Sequence, residues 1–151
     1  MMGMYTKVSF IIPIKTNTPK KIREILIALI EGDLEEHMEL PKHKFFETTR
    51  FHYFARTDSF YFTGTSNSAV KYPFRDWRDG GSETIVLHID SDFKHYDEEI
   101  ELFLDWVKDY MEIPTSGFIG YTLYEMDERP TLWFIRSGEI IAEYNAKGEV
   151  E

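Results

Sequence analysis

Val8-Ser9-Phe10-Ile11-Ile12-Pro13-Ile14 runs, after a five-residue break, into Lys20-Lys21-Ile22-Arg23-Glu24-Ile25-Leu26-Ile27-Ala28-Leu29-Ile30, and the pair reads as a strand feeding a helix. Thr18 is placed to cap that helix and Pro19 to occupy its first position. Ile22, Ile25, Leu26 and Leu29 recur at i, i+3, i+4 and i+7, which makes one apolar stripe. Gly32 is a natural stop. Lys20, Lys21 and Arg23 fall in the first turn, where the helix dipole disfavours cations. A misfit of about 0.3–1 kcal/mol is small enough for ordinary surface charge, but the same residues also make a basic spot suited to an anion.

The pattern then repeats. Thr84-Ile85-Val86-Leu87-His88-Ile89 leads into a second helical run, Glu98 to Met111. Asp97 is its expected cap, and Glu98, Glu99 and Glu101 favour its positive end. Ile100, Phe103, Leu104, Val107 and Met111 form its buried stripe. Strands are expected at 118–124, 131–136 and 139–144, the last two joined by a Ser137-Gly138 hairpin turn. In the first half, 45–56 reads as a long strand with Phe45, Thr49, Phe51, Tyr53 and Ala55 on one face and Arg50, His52, Phe54 and Arg56 on the other. Residues 59–63 are expected to pair back on it.

These elements predict an α+β fold: two ferredoxin-like β-α-β-β halves, with a mostly antiparallel sheet and two amphipathic helices packed on it. The expected organisation is one domain over 1–151, with pseudo-repeat halves at 5–63 and 82–144. The 151-residue length is that of one ordinary domain. The halves share element order only, without a residue-level repeat. Residues 31–41 read as an acidic connector, 64–81 as an irregular stretch, and 146–151 as a polar tail.

The chain has no cysteine, so disulfides, thiolate chemistry and zinc held through sulfur are excluded. That fits a cytoplasmic location, as does the absence of a signal-peptide pattern or a long apolar run. The net charge is −10. Residues 1–80 hold 12 Lys/Arg and 10 Asp/Glu, whereas residues 81–151 hold 5 and 17. An acidic protein is a poor partner for a phosphate backbone, so no nucleic acid is expected, and without a run of eighteen apolar residues no membrane is expected either. The acidic half serves solubility, or forms a surface for a basic protein partner.

Three constellations carry possible chemistry. His88, Asp90 and Asp92 project to one face if their strand continues, with His95 nearby, and such a set suits a metal or acid–base work. The plainer reading is a solvated strand face, and no metal or cofactor is expected. Arg75, Trp77 and Arg78 could grip an anionic or aromatic ligand, or anchor a protein interface, or form local surface pairs. Arg50, His52, Phe54 and Arg56 would resemble a single-strand nucleic-acid platform, which the overall charge opposes. No Gly-x-Ser-x-Gly elbow, phosphate-binding Gly loop or His-Glu-x-x-His occurs. Catalytic residues are therefore unknown. The expected function is a non-catalytic interaction or regulatory protein that binds another protein through an acidic or aromatic surface. The alternative is a small-molecule-binding protein or enzyme with a cleft near Trp77 and His88.

Overall fold

A six-stranded antiparallel sheet carries the molecule, with spatial order β2-β3-β1-β4-β5-β6. Its strands are β1 (Thr6–Ile14), β2 (Ala69–Lys71), β3 (Ile85–Phe93), β4 (Phe118–Tyr124), β5 (Thr131–Arg136) and β6 (Glu139–Tyr144). The helices are α1 (Lys20–Glu31) and α2 (Glu99–Val107). This computed structural model describes residues 5–35, 38–59, 62, 67–72, 85–94, 97–113 and 115–144. Arg75, Trp77, Arg78 and His95 lie outside them, as do residues 60, 61 and 63 of the expected hairpin and the tail from 145.

β1 is the hub. It pairs antiparallel with β3 along its whole length, from Thr6 opposite Phe93 to Ile14 opposite Ile85. On its other side it pairs with β4, Phe10 lying opposite Gly120. β2 and β1 therefore run parallel on either side of β3, and β3 and β4 run parallel on either side of β1. Each helix links a parallel pair across an intervening strand, so β1-α1-β2 and β3-α2-β4 interleave in a single β-α-β-β-α-β arrangement. The β5–β6 hairpin extends the sheet beyond β4. Ser137 and Gly138 turn it with φ of 52° and 77°, the left-handed pair that matches strand twist.

Strand alternation decides which face is covered. Val8, Phe10, Ile12 and Ile14 of β1 are buried, and Leu87 and Ile89 of β3 join them, under one continuous core that includes both helices. The expected stripes are inside: Ile25, Leu26 and Leu29 from α1, and Ile100, Phe103, Leu104 and Val107 from α2. Gly32 ends α1 in the left-handed conformation, as its position predicts. The opposite sheet face is open, and Ile11 there is 55% exposed.

The reading of 45–56 as a strand is corrected. Lys44–Glu47 and Phe51–Tyr53 are short 3₁₀ turns. Phe45 and Phe46 are both buried although adjacent, and Phe54 is fully buried while Tyr53 is 55% exposed. No pleated strand gives that pattern. What wins is an aromatic cluster: Phe45 packs edge-on against Phe46, Phe51, Phe54 and Phe103 and stacks on Trp106. The first half therefore lacks the aromatic strand assigned to 45–56, and two successive β-α-β-β halves do not describe the sheet. Among the described residues, no helix is long and apolar enough to cross a membrane.

Candidate functional site

Where β1 ends, the chain turns sharply into α1, and a cleft opens at the junction. Lys15 donates its backbone N–H to the Tyr110 carbonyl at 2.8 Å, which ties the end of β1 to the segment after α2. The Thr18 N–H and Thr18 Oγ1 both donate to the Lys15 carbonyl, at 3.1 and 2.7 Å. Thr18 is thus spent on a turn, and the expected cap is shifted: Pro19 occupies the cap position and no side chain caps the helix. The N–H groups of Lys20, Lys21 and Ile22 precede the first intrahelical donor, Arg23, whose N–H reaches Pro19 O at 3.0 Å. No acidic residue stands in that first turn to offset the dipole.

The cleft holds about 240 Å³ and is lined by Ile14, Lys15, Thr16, Lys20, Arg23, Glu24, Ile27, Tyr72 and Ile85. Ile14 and Ile85 are register partners and form the floor at the ends of β1 and β3. Lys20, Arg23, Glu24 and Ile27 come from one side of α1, at i, i+3, i+4 and i+7, beside its core stripe. Tyr72, just past β2, stands at the rim and is 53% exposed. Lys15 Nζ lies 3.3 Å from the Asp109 carbonyl, and Lys20 Nζ lies 4.0 Å from Glu24. Arg23 differs from both: its Nε is buried without a hydrogen-bond partner, and its guanidinium makes no ion pair among the described residues. A buried, unsatisfied donor of a charged group is expensive and calls for an acceptor.

His88, Asp90 and Asp92 do share a face, the open one. Asp90 accepts a short hydrogen bond from Lys7, which also lies 3.6 Å from Asp92 Oδ1. Asp92 is nearly enclosed because 57–59 runs beside the end of β3. Its N–H donates to Thr57 O at 2.8 Å and its Oδ2 accepts from the Ser59 N–H at 3.0 Å. Burial pushes the Asp92 carboxyl above its usual range, although Lys7 and the Ser59 bond oppose this. Burial acts to lower Lys7, but the hydrogen bond and charge of Asp90 and the charge of Asp92 outweigh it and raise its pKa. His88 stands one pleat further along, opposite Ile11 and Ala69, and joins neither carboxylate. Among the described residues, no three His, Asp or Glu side chains converge as metal ligands would. Arg50, His52, Phe54 and Arg56 share no strand face, because their segment is not a strand.

His88 does not line the cleft, although Ile85 of the same strand does. The chain leaves the described residues just after Tyr72 and re-enters at Ile85, both of which line the cleft, so Arg75, Trp77 and Arg78 belong to the segment between two of its residues. Reading the chain in sequence order hides this site. The signal in the sequence was Lys20 and Arg23 among the cations in the first turn of α1. The chain matches no protein-family model, no curated protein and no solved structure, so what the cleft does follows from its own chemistry.

Proposed function

We propose that this protein binds a small anionic organic molecule in the cleft between the start of α1 and the ends of β1 and β3. The observation that carries the reading is the convergence of Lys15, Lys20 and Arg23 on the wall of one cavity, Arg23 making no ion pair among the described residues. In a chain of net charge −10, three cations around one concavity run against the composition. The uncapped N-terminus of α1 adds N–H donors with the same preference for negative charge. Binding, without a catalytic step, is the function assigned. We also read the topology as one ferredoxin-like unit with an added hairpin, a fold that supports many activities and selects none of them.

Titration with inorganic phosphate, sulfate and benzoate tests the reading, followed by thermal unfolding and by calorimetry. At least one anion should bind stoichiometrically and raise the melting temperature, and Arg23→Gln should weaken that binding about tenfold, as for loss of a charge-assisted hydrogen bond. Indifference of the wild type to all three anions at millimolar concentration would show that the cleft is only a gap in the surface.

A second reading is favoured by a different observation. Glu98, Glu101, Asp105 and Asp109 are all exposed and recur at i, i+3, i+7 and i+11 along the outer side of α2 and the turn after it. We propose that this acidic stripe serves recognition of a basic protein partner.

A further inference from the structure

On the reading that the cleft holds an anion, we propose that its ligand is a free phosphomonoester with a small apolar body, in preference to a monocarboxylate. Charge is the first argument. Lys15, Lys20 and Arg23 face a single carboxylate, Glu24, which leaves two positive charges in surplus. A phosphomonoester carries about −1.5 to −2 at neutral pH, which matches that surplus, whereas a monocarboxylate neutralises half of it. Geometry is the second. The planar guanidinium of Arg23, a lining residue of the cleft, suits a tetrahedral oxyanion with several acceptors. The free N–H groups of the first turn of α1 supply further donors of the kind that bind phosphate at helix N-termini.

The rest of the lining describes the body of the ligand. Ile14, Ile27 and Ile85 make an apolar wall, and the Tyr72 ring stands beside it at the rim. A small flat or branched group packs there with its charged end toward Arg23. Size limits it. At about 240 Å³ the cleft is smaller than the ~300–1,000 Å³ typical of sites for drug-sized ligands.

Phenyl phosphate is the probe, compared by calorimetry with benzoate, inorganic phosphate and a phosphotyrosine peptide. Phenyl phosphate should bind about tenfold more tightly than benzoate and about tenfold more tightly than inorganic phosphate, since only it supplies both head and body. Arg23→Gln should weaken phenyl phosphate about tenfold and benzoate less. Lys20→Gln should weaken phenyl phosphate about threefold and Glu24→Gln should tighten it by a similar factor. The Lys20 and Glu24 side chains are 82% and 55% exposed, so these two variants keep the test open should Arg23→Gln fail to fold. Benzoate binding as tightly as phenyl phosphate would overturn the phosphomonoester while leaving an anion site standing. A phosphotyrosine peptide binding more tightly than phenyl phosphate would overturn the free ligand in favour of a modified protein. Failure of phenyl phosphate, benzoate and inorganic phosphate alike would remove both the ligand class and the site.

Discussion

Gly120 stands where β1 and β4 come too close for any side chain. Its φ is +149°, and a Cβ there would lie 2.0 Å from the Ser9 carbonyl oxygen and 2.8 Å from the Phe10 Cα. Backbone atoms cannot swing away as a side chain can, so the strands would have to separate. Gly120→Ala is expected to destabilise the protein by about 3 kcal/mol or more, read as a lower urea midpoint. An unchanged midpoint would mean that β4 does not pair with β1 in this register. Asp92 gives a second residue-level prediction, this one with a sign in pH. Its folded pKa lies above the ordinary 3.8 because burial disfavours the charged form, so the folded protein binds that proton more tightly than the unfolded chain does. Raising the pH from 3.8 to the folded value therefore withdraws stability, and protonation restores it. Asp92→Asn does not titrate, and it should gain on the wild type as pH rises through that window. Urea unfolding in steps between about pH 4 and 7 checks this, and parallel curves would show that Asp92 titrates normally.

At the scale of elements, the 3₁₀ segment that replaces an expected strand is the part of the fold most dependent on distant partners. Phe45 contacts rings from its own segment and from α2, and it is fully buried. Phe45→Ala should cost about 3–5 kcal/mol, whereas Tyr53→Ala, at a residue 55% exposed, should change stability by less than about 0.5 kcal/mol. Alternation would have placed Phe45 and Tyr53 on one face, so equal effects in a urea titration would reinstate the strand. The same contrast explains what could be read from residues alone. α1, α2 and the β5–β6 hairpin carry their own period, stop or turn, and they appear where expected. Residues 45–56 are rich in aromatic and β-branched side chains and look extended locally, but the rings they pack on lie about 40–60 positions away, Phe93 on β3 and Phe103 and Trp106 on α2. Glu99 shows the same dependence on tertiary surroundings. Its place in the first turn suggests an exposed acid, yet it is fully buried and its Oε1 accepts from the Asp97 N–H at 2.9 Å. The cleft was legible only through Lys20 and Arg23, two of the three ill-placed cations, because its lining joins Ile14 to Ile85 across the sheet.

For the molecule as a whole, charge is divided between two surfaces with opposite demands. The basic cleft lies at the start of α1, and the acidic stripe of Glu98, Glu101, Asp105 and Asp109 runs along α2. Within the stripe, Asp105 receives His43 Nε2 at 2.9 Å and Lys108 Nζ at 3.1 Å, and these two neighbours hold its carboxyl below the usual range. Glu98 is held with φ of +59°, which places it at the entry of the helix in a conformation that few non-glycine residues adopt. If the stripe steers a basic partner, association should be fast at low salt and slow as salt rises, since screening acts over about 8–10 Å at ordinary ionic strength. Charge reversal at Glu98 and Glu101 should then lower the on-rate about tenfold and leave the off-rate nearly unchanged, because exposed charges act mainly on encounter. Glu99 is excluded from that set, since reversal of a buried carboxylate would unfold α2 and mimic a loss of binding. The experiment is a stopped-flow measurement on a basic partner recovered by pull-down, at several salt concentrations, with Lys20→Gln as the control for the cleft. Partner association indifferent to salt and to Glu98 and Glu101, but sensitive to Lys20, would move recognition from α2 to the cleft.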